Sequence, residues 1–336
     1  MRVLIVKLSS LGDVVHTLPV VADILGAHPG ARVDWVVEPA FAPLLARTHG
    51  VADTIECALR RWTREGWRRA ATRAEAAAFL RRLRRERYDV VLELQGLTKS
   101  ALIAALAHGQ SWGLANRTDG ASHEAPARWL ATHAVQVEQH SHALDRAREL
   151  VAAALGTRID TPPVFGLHAR APTAPERERT VVLVHGTSRA DKLWPEANWI
   201  ELGRRLVDQG WAVALPQSDS AEAMRARTIA EAIGGASCAV WGRLELGAFI
   251  DRMAGCAGVI GVDSGPSHIA VALGLPHVQL YNFPTSWRTG PQPRHGAGLQ
   301  VAIEGDPTPT VGAVWSAWNR VQDAARAGAA AEPPRA

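Results

Sequence analysis

Val3-Leu-Ile-Val6 runs directly into Lys7-Leu-Ser-Ser-Leu-Gly-Asp13-Val-Val-His16-Thr17. Four consecutive apolar residues suit a strand covered on both faces, and Ser9, Ser10 and Gly12 suit a turn from strand into helix. The same pattern recurs along the chain. Val33-Asp-Trp-Val-Val37, Asp89-Val-Val-Leu-Glu-Leu94, Val181-Val-Leu-Val184, Ala212-Val-Ala-Leu215, Val259-Ile-Gly-Val262 and His277-Val-Gln-Leu280 read as buried strands. Between them lie stretches with helical spacing, such as Pro195 to Asp208 and Ala221 to Ile233. Strand and helix in steady alternation predict an α/β fold of parallel sheets with crossover helices.

A chain of 336 residues suits two domains of ordinary size. Pro162, Pro163, Pro172 and Pro175 punctuate Thr157 to Thr180, which lacks helical or strand periodicity, so the junction falls there and the domains are 1–165 and 166–336. Two open α/β domains joined this way are expected to form a cleft at the carboxyl ends of their strands, where such folds bind ligands. The Ala- and Pro-rich end, Ala324 to Ala336, reads as a frayed tail. Hydrophobic residues make up 47% of the chain and charged ones 21%, which excludes a disordered or fibrous protein. Cys57, Cys238 and Cys256 are widely spaced and lack a C-x-x-C arrangement, so they read as free or buried thiols. The first apolar run stops at Lys7, too short for a signal peptide, and no run approaches membrane-spanning length. A soluble cytoplasmic chain is therefore expected.

Lysine and arginine total 37 against 33 acids, a net charge of +4 that is unevenly distributed. Arg60 to Tyr88 holds eleven arginines against Glu65, Glu75 and Glu86, a local +8, so the remainder nets −4. Arg81 to Arg87 read as a solvated helix face. Arg60-Arg61-Trp62-Thr63-Arg64 is expected in a loop after Thr54-Ile-Glu-Cys57, where its arginines can converge on phosphate or carboxylate groups.

Three strand-end segments carry potential chemistry. Asp13 stands near a helix start, where it favours the positive end of the macrodipole or serves as a base for a substrate hydroxyl. His185-Gly186-Thr187-Ser188-Arg189-Ala-Asp191-Lys192-Leu-Trp194-Pro195 offers small residues, hydroxyls and a compact cation to phosphate oxygens, without Walker spacing. Gly261-Val262-Asp263-Ser264-Gly265-Pro266-Ser267-His268 leads into a helix near Pro266, with Ser264 as its cap, and leaves unpaired N–H groups for a diphosphate. His268 taken alone reads as a helix-face residue with a satisfied hydrogen bond. No G-x-G-x-x-G follows a strand, which disfavours a nicotinamide dehydrogenase, and no D-x-D occurs to bridge a diphosphate through metal. The twelve tryptophans are scattered singly, at Trp35, Trp129, Trp211 and Trp315 among others, unlike a nucleic-acid stacking platform.

With these motifs in place the chain resembles the lipopolysaccharide heptosyltransferase family, and within it the heptosyltransferase I group. The resemblance rests on Met1 to Pro19, Asp34-Trp-Val-Val-Glu38, Arg60-Arg61-Trp62, Gln95-Gly96-Leu97 with Lys99-Ser100, Asp191-Lys192 with Trp194-Pro195, and Val262 to Gly265 with Ser267-His268. It covers nearly the whole chain in order. It implies a GT-B glycosyltransferase of two facing Rossmann-like domains, the first binding the acceptor and the second ADP-heptose, with no metal or other cofactor. The last helix can pack back on the first domain. The implied reaction moves L-glycero-D-manno-heptose from ADP-heptose to Kdo2-lipid A with inversion, in inner-core synthesis at the cytoplasmic face of the inner membrane.

Residue by residue, the resemblance makes Asp13 the general base and places Thr187, Ser188 and Lys192 on the donor diphosphate and sugar. It puts Asp263 on a heptose hydroxyl, and Ser264, Gly265 and His268 at the pyrophosphate-binding helix start. Glu222 falls at a ribose-binding acid and Leu244 at a backbone contact to adenine. Arg60, Arg61 and Arg64 resemble the basic set for acceptor phosphates and carboxylates. Ser264 stands where Thr is usual, and Asn116 to His123 aligns poorly, leaving Arg117 as the candidate for a further acceptor arginine. The rivals are heptosyltransferase II, acting on an already heptosylated core, and a non-catalytic polyanion-binding module. Neither nucleic acid nor an obligate protein partner is expected.

Overall fold

The structure is a computed structural model that describes residues 1–170, 179–292 and 298–331. It divides into two compact units, Met1–His168 and Ala169–Ala336. The first holds β1 (Arg2–Val6), β2 (Arg32–Val37), β3 (Val51–Glu56), β4 (Arg87–Glu93), β5 (His108–Leu114) and β6 (His133–Val135) in one sheet of order β3-β2-β1-β4-β5-β6. All neighbours are parallel. The second holds β7 (Thr180–Val184), β8 (Ala212–Leu215), β9 (Cys238–Val240), β10 (Gly258–Val262), β11 (His277–Tyr281) and β12 (Gln300–Glu304), ordered β12-β11-β10-β7-β8-β9, again parallel throughout. Counted within its own unit, each sheet has the doubly wound order 3-2-1-4-5-6, whose direction reverses between its first and fourth strands. The expected α/β class with two Rossmann-like units is what the chain adopts.

The strands read from apolar runs are the central ones, and burial explains their legibility. Val3, Leu4, Ile5 and Val6 are fully buried, as are Val181, Val182 and Leu183. The strands missed or truncated in the sequence reading lie toward the edges: β5, β6, β9 and β12 were not anticipated, and β3 starts at Val51, before the Thr54 run. An outer strand need not be apolar on both faces; in β5, His108, Gly109 and Gln110 are exposed.

Two further expectations are corrected. Arg60 to Arg64 lie in a helix, Leu59–Glu65, not in a loop, because Trp62 turns inward to join Cys57, Ala58 and Leu83 in the core with Leu59 packed against it. Ala324 to Ala331 continue the helix Val311–Ala331 instead of fraying; residues 332–336 lie outside the described residues. That helix sends Val314, Ala317, Trp318 and Val321 into the core of its own unit, which accounts for its apolar face there. Of the junction prolines, Pro172 and Pro175 lie outside the described residues. Just before them the chain is still tied to the first unit, where His49 donates its N–H to the Gly166 carbonyl at 2.8 Å.

Candidate functional site

Each unit brings its chemistry-bearing residues to the carboxyl ends of the strands flanking its reversal point. In the first unit, β1 ends at Val6 and the helix Leu11–Thr17 begins five residues later. Val14 and Val15 are buried, which sets the helix against the sheet and leaves Asp13 in its first turn with 43% of its side chain exposed. The carboxylate reaches back to the residue before the helix: Asp13 Oδ2 accepts from Ser10 N–H at 3.0 Å and Ser10 Oγ at 2.7 Å. Oδ1 lies 4.0 Å from the Lys7 ammonium. Surrounding protein pushes the carboxyl pKa up, but Lys7, the two Ser10 bonds and Arg146 outweigh that effect and hold it below the ordinary aspartate value. Asp13 is therefore an ionised carboxylate with one oxygen committed to the helix start and the other open.

Lys7 is nearly fully buried and donates from Nζ to the Leu94 carbonyl at 2.8 Å, across the β1–β4 reversal. Burial lowers its pKa, and the neighbouring Asp13 and Glu93 oppose that fall. Beneath it Glu93 accepts from the N–H groups of Gln95 and Gly96, and burial raises its pKa.

The three acceptor-type arginines do not converge. Arg60 donates from Nη2 to Ser9 Oγ at 2.9 Å, beside the Ser10–Asp13 pair, and its N–H goes to Glu38 Oε1 at 3.1 Å. Arg61 is turned away into an ion pair with Glu75, reinforced by Trp62 Nε1 on the same carboxylate at 3.0 Å. Arg64 is exposed one turn beyond Arg60. Arg117 is exposed too, beyond β5, with no ion pair among the described residues.

In the second unit the loop after β7 and the end of β10 meet. Thr187 Oγ1 donates to the Asp263 carbonyl at 3.2 Å. Lys192 Nζ donates to Asp263 Oδ2 at 2.5 Å, and Asp263 Oδ1 lies 3.3 Å from both His268 Nε2 and Thr289 Oγ1. Burial acts to raise the Asp263 pKa, but His268 and Lys192 overcome it and hold the carboxyl far below the usual range. Lys192 and Asp263, assigned separately from sequence to diphosphate and sugar, thus form one ion pair.

Two devices hold the Lys192 segment. Trp194, 1% exposed, stacks edge-on against Trp199 and donates from Nε1 to the Pro309 carbonyl at 2.8 Å. Asn282 Nδ2 donates to the carbonyls on either side of Lys192, Asp191 at 2.9 Å and Leu193 at 3.0 Å. Thr308 Oγ1 in turn donates to Asn282 Oδ1 at 2.8 Å, which fixes the direction of the amide. Asn282 was not singled out in the sequence reading. Its only sequence signal is its position one residue past the β11 strand end, a place shared with the other site residues.

The helix Gly265–Ala272 starts one residue earlier than Pro266, with Ser264 at the preceding position. Ser264 makes no side-chain cap, contrary to expectation; its Oγ is buried without a hydrogen-bond partner. A buried hydroxyl beside open helix-start N–H groups is a polar cradle for an anion. Glu222 lies next to the loop after β7, where Gly186 has no side chain: a Cβ there would come within 2.1 Å of Glu222 Oε1. Its other oxygen accepts from the N–H and Oγ of Ser218, both at 2.7 Å. Ser188 is exposed, and Leu244 is half-buried between β9 and the helix Leu246–Ala254. Among the described residues no three His, Cys, Asp or Glu side chains form a metal-holding group.

The lipopolysaccharide heptosyltransferase 1 of Escherichia coli K12 is 39% identical over 289 residues, covering 84% of this chain and 88% of that protein. The structure of E. coli heptosyltransferase WaaC with ADP matches with a TM-score of 0.84 at 34% identity, over 94% of this chain and 98% of that one. The same enzyme with ADP-2-deoxy-2-fluoro heptose matches with a TM-score of 0.79 at 34% identity, over 98% of this chain and 100% of that one. Residues 76–308 match the model of glycosyltransferase family 9 (heptosyltransferase), and the chain belongs to that family.

Proposed function

We propose that this protein transfers L-glycero-D-manno-heptose from ADP-heptose to a Kdo hydroxyl of Kdo2-lipid A, inverting the anomeric centre, in inner-core lipopolysaccharide synthesis. The observation that carries the reading is Asp13: an ionised carboxylate at a strand end, with Oδ1 open beside the helix start. Asp13 accepts the proton of the acceptor hydroxyl as its oxygen attacks the anomeric carbon. The new C–O bond forms as the bond to the β-phosphate oxygen breaks, and ADP leaves with the electron pair. Inversion in one displacement requires no covalent enzyme intermediate.

The second unit supplies the groups for ADP. Lys192 has three N–H donors and commits one to Asp263, so two remain for phosphate oxygens. Ser264 Oγ and the N–H groups of Gly265 and its neighbours offer neutral donors to the same diphosphate. Asp263 and Thr187 face the sugar, Glu222 the ribose, Leu244 the adenine, and His268 holds Asp263. In this reading the leaving charge is carried by these groups without metal or cofactor. Arg60 and Arg64, with Arg61 if it leaves Glu75, bind acceptor phosphates and carboxylates. The enzyme works at the cytoplasmic face of the inner membrane, without nucleic acid or an obligate protein partner.

An acceptor-resolved transfer assay tests the whole reading. With ADP-heptose, the purified protein is expected to heptosylate Kdo2-lipid A at a rate insensitive to a metal chelator. Transfer confined to an already heptosylated core would instead assign the second heptosylation. Absence of acceptor-dependent ADP release with either acceptor would remove the enzymatic reading.

A further inference from the structure

The acceptor reading uses Arg60, Arg61 and Arg64 and leaves most of the +8 segment unexplained. Residues 64–85 carry eight arginines against Glu65 and Glu75. Arg69, Arg73, Ala77, Arg81 and Arg84 recur at spacings of three and four, which places them on one side of the helix Ala70–Leu83 and its flanking residues, and all five are exposed. Thr72 and Leu83 are buried on another side of the same helix. Among the described residues, Arg64, Arg68, Arg69, Arg81 and Arg84 form no ion pair; the acids nearby go to Arg61, Arg82 and Arg85. A solvated helix face ordinarily interleaves both signs. This one presents cations and alanine methyls alone.

At the turn leading into this helix stands Trp67, 49% exposed. It is held in place: its ring lies 6.2 Å from buried Trp62, whose ring meets Phe79 at a tilt, 5.7 Å between centroids, and Arg73 donates to the carbonyls of Trp67 and Arg68. An exposed indole fixed among unpaired arginines matches the chemistry of a bilayer interface, where indole sits at headgroup depth and each cation near an anionic surface adds attraction. Among the described residues no helix is long and apolar enough to cross a membrane. The hairpin also leads back to the acceptor loop, since Arg60 at its start bonds Ser9 beside the Ser10–Asp13 pair.

We propose that the Trp67 turn and the arginine stripe of the helix Ala70–Leu83 dock the first unit onto an anionic phospholipid surface. Docking in this way would present the Asp13 loop to an acceptor embedded in that surface. The choice of a membrane over another polyanion rests on the lipid-acceptor reading above.

The test is co-sedimentation of the full chain with phosphatidylcholine vesicles with or without phosphatidylglycerol, no acceptor being present. Binding is expected to require the anionic lipid and to weaken in high salt. The double reversal Arg81→Glu/Arg84→Glu is expected to weaken it by at least about 25-fold, taking roughly fivefold for each arginine near the surface. Trp67→Ala is expected to weaken it separately. Transfer to a deacylated, soluble acceptor should be unchanged by the double reversal, which also reports that the variant is folded. Equal binding to neutral vesicles, binding unaffected by the double reversal, or binding of an oligonucleotide but of no vesicle would each overturn the proposal. Vesicle binding without any heptose transfer would instead defeat the enzymatic reading and leave the docking surface standing.

Discussion

The two units share one sheet order, yet their strand-end aspartates are treated in opposite ways. Asp13 has 43% of its side chain exposed and a single long ion pair, whereas Asp263 has 9% exposed and is gripped by Lys192, His268 and Thr289. Both are held in the charged form, Asp13 by Lys7 and the Ser10 hydrogen bonds and Asp263 by His268 and Lys192. A carboxylate saturated with strong partners is a poor base, because taking a proton means giving up those partners. One with an open oxygen and a distant cation can take it. In the proposed reaction the same fold therefore provides a proton acceptor in one unit and a fixed anchor for a cation in the other, and the difference lies in what packs around the strand end.

The largest way to break this contrast is Asp13→Asn. It keeps the shape of the helix start and removes the base, so kcat is expected to fall about 10²- to 10⁴-fold, with ADP-heptose affinity by calorimetry unchanged. Retained turnover would show that Asp13 is no more than a helix cap. Lys192→Ala breaks the other side. It removes a charged donor and leaves Asp263 short of a partner, so donor kcat/KM and ADP affinity should both fall by about 1.5–3 kcal/mol. If only thermal stability changes, Lys192 belongs to the fold rather than to the donor.

Asn282→Asp is a finer probe of the same anchor. It turns an N–H donor into an oxygen facing two carbonyls, and is expected to cost about 1 kcal/mol in donor kcat/KM, comparable to a net hydrogen bond. That loss should vanish in a Lys192→Ala background if Asn282 acts through Lys192, and full additivity would separate the two. The smallest effect is expected from Lys7→Met. Lys7 favours the charged form of Asp13, so its removal lets the carboxyl hold its proton to higher pH. The acid limb of the kcat/KM profile should move upward while the neutral-pH rate changes only severalfold; a limb that stays in place, or moves toward acid, would show that Lys7 does not tune the base.

The segments easiest to read from sequence were those where local chemistry and global position agree. Val3 to Val6 and Val181 to Val184 are apolar because both faces of a central strand are covered, and the serines, threonines and glycines after them are where a strand must turn into a helix. Asp13, Thr187, Lys192, Asp263 and Ser264 could be singled out for that reason. Polar edge strands such as β5 carry no such signal. The Arg60 segment misled because its charges outweighed its one decisive residue: buried Trp62 draws the segment into a helix, and Glu75, fourteen residues after Arg61, claims that arginine.

Periodicity and turn chemistry are properties of neighbours in the chain, so the sequence by itself determined the α/β class, the central strands and the loops that bear chemistry. Its ordered motifs also brought out the family resemblance. Partnership between distant groups is decided by strand order. Lys192 meets Asp263 across 71 residues, and Asn282 braces the Lys192 segment across 91, because β7, β10 and β11 lie side by side. Only the tertiary structure could pair those groups, leave Oδ1 of Asp13 open, and turn Arg69, Arg73, Arg81 and Arg84 outward while Arg82 of the same helix takes Asp53. Such pairings depend on distances of a few ångströms between segments whose separation along the chain carries no information about them.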